Sequence, residues 1–307
     1  MPEQETWIGE GNRRPVGVEV EFGRLDAVQA AAAVRRRFGG TLRASSAHRL
    51  YVEDTELGTF KVELDWDWVH DAYDDGGIVD KAKELLGELG REVVPTEVVT
   101  PPVPAGRLPE IDGLIGELAR LGAEGTRSGL LYGFGLHLNP ALGPGDLAAD
   151  PIRRVLQAYL LEAPALRAAI DVDPMRVLLP FVEPFPRPYL DLVLDPDYQP
   201  SLVGLIDDYL RFNATRNREL DLLPLFAEID RERVATAVPD PKISARPTFH
   251  WRLPNADIED PAWTVTGQWA RWLSVETVAL DRDGLAERLA ARRRRTLQRE
   301  GLWASLF

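Results

Sequence analysis

The chain has 307 residues, no cysteine and a formal net charge of −13. Without cysteine there is no disulfide, thiolate metal site or cysteine nucleophile, and the acidic balance argues against nucleic acid as a partner. Hydrophobic residues at 45% and charged residues at 28% describe a globular chain long enough to bury a core without staples.

No apolar run approaches the ~20 residues that cross a bilayer, and residues 1–12 are too polar and acidic to read as a signal peptide. No membrane association is expected, and a cytoplasmic location is.

Residues 15–22 alternate: Val16, Val18, Val20 and Phe22 on one face, Gly17, Glu19 and Glu21 on the other. Period two means a strand with one buried face. Asp26 then caps a helix with Val28, Ala31, Val34 and Phe38 as its apolar positions, ended by Gly39 and Gly40. Residues 59–65 alternate again, with Phe60, Val62 and Leu64 opposite Lys61, Glu63 and Asp65. A helix is expected at residues 78–89 and a strand at 93–99, closed by Pro101 and Pro102.

Ile111, Leu114, Ile115 and Leu118 mark an amphipathic helix over residues 111–121. In residues 130–139, Leu136 and Leu138 share a face with Phe134, while His137 and Asn139 lie opposite. Helices are expected at 151–163 and from 202 to about 220. The proline-rich stretch 171–200 reads as irregular, a loop or lid. The last alternating run, 246–253, sets Arg246, Thr248, His250 and Arg252 against Phe249, Trp251 and Leu253. A tryptophan-bearing helix (Trp263, Trp269, Trp272) and a basic helix follow, whose run Arg292 to Arg295 reads as a solvated face. This divides the chain into a flexible segment 1–14, a catalytic domain 15–280 and a C-terminal basic helix 281–307 packed on it.

Strands separated by helices would suit a parallel sheet, but no glycine-rich phosphate loop follows any strand. The runs instead share a face bearing Glu19, Glu21, Lys61, Glu63, Glu97, His137, Arg246, His250 and Arg252. A single Glu-x-Glu is ordinarily a wet strand edge; a face of this composition on five runs is not. If the strands form one sheet, several carboxylates stand about 5–7 Å apart. Such a cluster repels itself unless cations compensate it, and oxygen-rich donors with one imidazole suit magnesium or manganese. Arginines recognise phosphate, so acids at one end of a groove and guanidiniums at the other make the layout of a phosphoryl-transfer site.

At these residues the sequence resembles the amidoligase family of the glutamine synthetase and glutamate–cysteine ligase superfamily. The motifs are VGVEVEF (residues 16–22), YVEDTELGTFKVELD (51–65), EVVTPP (97–102), GLHLN (135–139) and ISARPTFHWRLP (243–254). The stretch 209–223, YLRFNATRNRELDLL, also looks familial as a helix carrying Asn213, Arg216 and Asn217. In the last motif His250 stands where the superfamily has a metal-binding glutamate.

The resemblance implies an α+β fold: a curved antiparallel sheet, a half-barrel of glutamine-synthetase catalytic-domain type, with helices on its outer face. It implies an ATP- and magnesium-dependent ligase that phosphorylates a carboxylate and joins it to an amine, with small-molecule or peptide substrates. Homo-oligomers occur in the superfamily and are left open. Glu19, Glu21, Glu63, Glu97 and His137 would hold metal, and Arg246, Arg252, His250, Asn139, Arg216 and Asn217 would meet the nucleotide. Arg252, Arg246, His137 and Lys61 would act on the transferring phosphoryl group or the amine. Two alternatives remain: a relative that binds nucleotide without catalysis, and a hydrolase working with a pair of carboxylates.

Overall fold

Val16, Val18, Val20 and Phe22 are at most 1% exposed, and they seal the apolar side of the central strand of an open, wholly antiparallel sheet. The computed structural model describes residues 5–46, 48–64, 94–128, 133–178 and 182–304. The helix expected at 78–89 lies outside these residues, as do Asp65, Val93 and residues 130–132 of the expected strands.

Strand β1 (Pro15–Phe22) leads into helix α1 (Ala27–Phe38). A capping box starts the helix: the Gln29 amide donates to Asp26 Oδ1 at 2.7 Å, and the Asp26 amide to Gln29 Oε1 at 3.0 Å. Its buried face is Ala27, Ala30, Ala31, Ala33, Val34 and Phe38. Val28, expected on that face, is 58% exposed, because the alanines present the flatter surface to the sheet.

Three strands follow: β2 (Thr41–Ser46), β3 (Arg49–Thr55) and β4 (Gly58–Leu64). The first two were not expected. Every residue of β2 is exposed, so it shows no alternation. Asp54, at φ 59°, sits where the register of β3 with β4 shifts just before the turn.

Strands β5 (Thr96–Val99) and β6 (Val103–Pro104) both pair with β1, the proline pair between them interrupting the ladder. After helix α2 (Leu108–Arg120) comes β7 (Leu136–Pro140), on the other side of β1. Then come the 22-residue helix α3 (Ala149–Ile170) and two short helices, α4 (Pro174–Leu178) and α5 (Arg187–Val193). The stretch expected to be irregular thus contains two helices, each with proline in its first turn, where the missing N–H costs nothing.

Helix α6 (Leu202–Phe212) stops at Asn213, short of the expected residue 220. The Thr215 hydroxyl accepts the Asn217 amide at 3.2 Å, a local turn that competes with the helix. Glu219 to Leu222 then alternate, and Leu220–Asp221 form strand β8. Of the helix expected across residues 209–223, only Tyr209 to Phe212 therefore continue a helix, the end of α6. Helices α7 (Leu223–Ile229) and α8 (Arg231–Ala237) precede β9 (His250–Trp251). Pairing in the expected 246–253 strand is limited to β9 and a bridge from Thr248 to Ala141, because Pro247 and Pro254 remove donors on either side. Helices α9 (Val265–Leu280) and α10 (Arg282–Ala304) close the chain.

Among the described residues the sheet order is β2-β3-β4-β5-β1-β7-β9-β8. Helix α1 packs on β3, β4 and β5. Trp272 of α9 meets the rings of Phe249 and Trp251 at 5.5 and 5.7 Å, covering the same side of β9. Helices α1 and α9 thus take the apolar side of the sheet and leave the other side to the charged residues. Residues 7–14 are tied to this body: the Trp7 amide donates to Asp146 at 2.6 Å, and buried Arg14 pairs with buried Glu276. Helix α10 is held through Arg288 to Glu162 and Arg292 to Asp191. No described helix is long and apolar enough to cross a membrane.

Candidate active site

Strand register builds the site. Glu63 of β4 lies opposite Glu97 of β5, and Glu97 opposite Glu21 of β1, so three carboxylates form a row across three strands. Two residues along, Lys61 faces Val99, Val99 faces Glu19, and Glu19 faces His137 of β7. His250 of β9 faces Asp221 of β8. All of these point away from α1 and α9, since their neighbours in sequence fill the core.

A cavity of ≈ 300 Å³ opens on this face. Glu19, Glu21, Glu63, Glu97, Lys61 and His137 line it from β1, β4, β5 and β7. Arg176, Arg216, Lys242, Arg246 and Arg252 line it as well, with His250 of β9 and Asp221 of β8, and Arg246 comes within 3.3 Å of Glu19. Asn139 lies beneath, joining Glu19 to His250. Asn217 is not among the lining residues; its carbonyl accepts the Glu183 amide at 2.7 Å. Arg216 does line the cavity, pairs with Asp240 at 3.1 Å, and gives its carbonyl to Arg252 at 3.0 Å.

Each carboxylate has a compensating partner. Glu63 pairs with Arg49 and with Lys61, whose ammonium is also 4.0 Å from Glu97. Glu21 accepts the Gly135 amide at 2.7 Å. Glu19 accepts from Asn139 at 2.9 Å and His137 Nδ1 at 3.2 Å, and lies 3.3 Å from Arg246. Burial would raise the pKa of Glu19, but the His137 hydrogen bond and nearby positive charge outweigh it and hold the carboxyl well below its usual range. Burial would likewise lower Lys61, but Glu97, Glu63 and Glu19 together raise it.

The histidines go the other way. Burial, reinforced by Arg252 and Arg176, lowers His137 to about 4 against the pull of Glu19. Burial, Arg246 and His137 hold His250 well below its ordinary value. Both are neutral imidazoles at pH 7, the form that ligates metal. Burial raises Asp221 to about 6, opposed by the Leu223 amide and Arg252.

The sequence reading passed over Arg176, Asp221, Lys242 and Arg49. Arg176 is 1% exposed and comes from α4. Its guanidinium donates to the carbonyls of Arg252, Leu253 and Pro254 at 2.6–2.7 Å. Burial and the charge of Arg252 lower it to about 10, while Glu21 opposes the fall. Asp221 had a signal, the alternation of residues 219–222, hidden by the helix expectation.

Two donor groups could hold a cation. Glu19, His137 and His250 bring one ligand atom each within 4.8 Å of one another, and so do Glu21, Glu97 and His137. Carboxylates, neutral imidazoles and this spacing fit a divalent ion. The five cations that share the cavity fit an anionic group such as a polyphosphate or carboxylate.

The family described as "putative amidoligase enzyme" matches residues 12–274 of the chain. No curated protein and no solved structure matches it. The match takes in every strand of the sheet and every residue that lines the cavity, so the chain belongs to the amidoligase family.

Proposed function

We propose that the protein is an ATP- and divalent-metal-dependent carboxylate–amine ligase that works through an acyl phosphate. The observation that carries this reading is one cavity lined together by carboxylates, imidazoles and guanidiniums, in a chain of the amidoligase family. Magnesium or manganese held by Glu19, Glu21, Glu97 and His137, with Glu63 beside them, would supply charge neutralisation for ATP oxygens. The glutamine-synthetase kind of half-barrel belongs to the same proposal, as do substrates drawn from small-molecule or peptide acids and amines.

The chain's own residues then have distinct tasks. Arg246 and Arg252 contact the phosphoryl group as it passes to the substrate carboxylate, and lower the energy of the charge that develops on its oxygens. Lys61, raised by its acidic neighbours, stays protonated and can meet a phosphate oxygen or the carboxylate. The amine attacks the acyl carbon, phosphate leaves, and the amine nitrogen loses a proton. Asp221, raised by burial to about 6, would receive it, since His137 gives its lone pair to the metal. Arg176 touches no substrate in this scheme; it positions Arg252 through the backbone.

A pair-of-carboxylates hydrolase needs one acid free to protonate a leaving group. Glu19 is instead tied to His137, Asn139 and Arg246, and Glu63 to Arg49 and Lys61. The test of the ligase reading is ADP release over a panel of acids and amines. Turnover that requires both is expected, and it should fall by about 10²-fold or more in Glu21→Ala and in Arg252→Ala. ADP release that ignores the amine, or undiminished turnover in both variants, would remove it.

A further inference from the structure

The two donor groups share His137 but are not alike. Glu21, Glu97 and His137 offer two carboxylates and one imidazole, whereas Glu19, His137 and His250 offer one carboxylate and two imidazoles. The imidazoles of His137 and His250 meet edge to face, 5.1 Å apart at 77°.

Asn139 fixes how His250 is presented. Its side-chain N–H donates to Glu19 at 2.9 Å, so its oxygen faces His250 Nδ1, 2.8 Å away. A carbonyl oxygen at that distance needs a donor, so Nδ1 carries the proton and Nε2 keeps the lone pair. Arg246 also sets an N–H 3.2 Å from the same Nδ1 and lies 3.3 Å from Glu19, but the shorter contact with the Asn139 oxygen decides the tautomer. His137 repeats the pattern, with Nδ1 on Glu19 at 3.2 Å and Nε2 3.8 Å from Glu21. A hydrogen-bonded Nδ1 with a free Nε2 is the usual state of a metal-ligating histidine.

Charge separates the two groups further. The Glu19 group carries one negative charge, and Arg246 offsets it from 3.3 Å. Magnesium is a hard ion that binds through charge and oxygen and gains little from such a set. First-row transition ions gain from imidazole nitrogen itself.

We propose that Glu19, His137 and His250 form a nitrogen-rich site selective for a first-row transition ion such as manganese, iron, cobalt or zinc. Magnesium is left to the carboxylates of Glu21 and Glu97. The inference deepens the ligase reading by naming an ion of the site, yet it stands on the donor set. The opposing arrangement is one in which Arg246 remains on Glu19 and takes the place of a cation.

Manganese titration of the full-length, nucleotide-free protein tests it, followed by electron paramagnetic resonance with magnesium as competitor. One equivalent of manganese should resist about tenfold excess magnesium, and pulsed spectra should show nitrogen couplings from two imidazoles. In His250→Glu one imidazole coupling should remain, and magnesium should displace the ion at parity. Displacement by equimolar magnesium in the wild type would overturn the proposal. So would retained manganese without nitrogen coupling, or no bound manganese at all. If His250→Glu does not fold, the wild-type competition and couplings decide alone. A chain that holds manganese through two imidazoles but makes no amide keeps this inference and loses the ligase reading; one that makes amide with magnesium and shows no nitrogen coupling does the reverse.

Discussion

Arg176 is a buried guanidinium whose three carbonyl partners belong to Arg252, Leu253 and Pro254, the residues that carry the guanidinium of Arg252 into the cavity. Arg176→Met leaves those carbonyls without donors and removes a charge that balances Glu21, so a loss of about 3–5 kcal/mol is expected. Arg176→Lys keeps the charge but cannot fork across three acceptors; its melting temperature should recover in part while turnover stays low. A lysine variant with full activity would show that charge alone matters. His137 sets a pH dependence. Its ordinary value is 6.5 and its folded value about 4, so between those values the unfolded chain binds the proton and the folded one does not. That contribution is present above pH 6.5 and is lost as pH falls toward 4, amounting to about 3 kcal/mol for metal-free protein. Denaturant unfolding at pH 7.5 and 4.5 should show the fall, and His137→Gln should show a shallower one.

Among the elements, β7 is preceded by a glycine packed against the site. A Cβ on Gly135 would lie 2.4 Å from an Arg176 nitrogen and 3.2 Å from His137 Nε2. Gly135→Ala should therefore cost about 1–3 kcal/mol by overpacking and reduce turnover by displacing both side chains. Gly17→Ala, on the neighbouring β1, would meet only Asn139 at 3.4 Å and should be better tolerated. β1 and α1 were legible because alternation and a capping box are local signals, and Glu19, Glu21, Glu63, Glu97, His137, Arg246, His250 and Arg252 converge because each follows the alternation of its own run. β2 was not legible, since an edge strand exposed along its whole length carries no period. The end of α6 was missed because a short polar turn interrupts a run of helix formers. Arg176 had no readable signal at all: its partners are backbone carbonyls 76–78 residues away, which no side-chain pattern reports.

At the scale of the whole molecule, the sheet gathers carboxylates, imidazoles and guanidiniums around one cavity, with helices α1 and α9 packed behind it. Arg14, just before β1, is bound to Glu276 of α9, which also accepts the Trp272 indole N–H at 2.6 Å. Burial lowers this arginine to about 9, against the attraction of Asp146. Glu276→Ala strands a buried guanidinium and should destabilise the protein by about 3–5 kcal/mol, read as a lower unfolding midpoint; an unchanged midpoint would mean that the tie contributes nothing. The central claim concerns the cavity, and it is tested most directly by the thermal shift produced by a non-hydrolysable ATP analogue, with and without divalent metal. The account predicts stabilisation by mass action only when metal is present, reduced in both Glu21→Ala and Arg252→Ala. Equal shifts without metal, or in both variants, would contradict it.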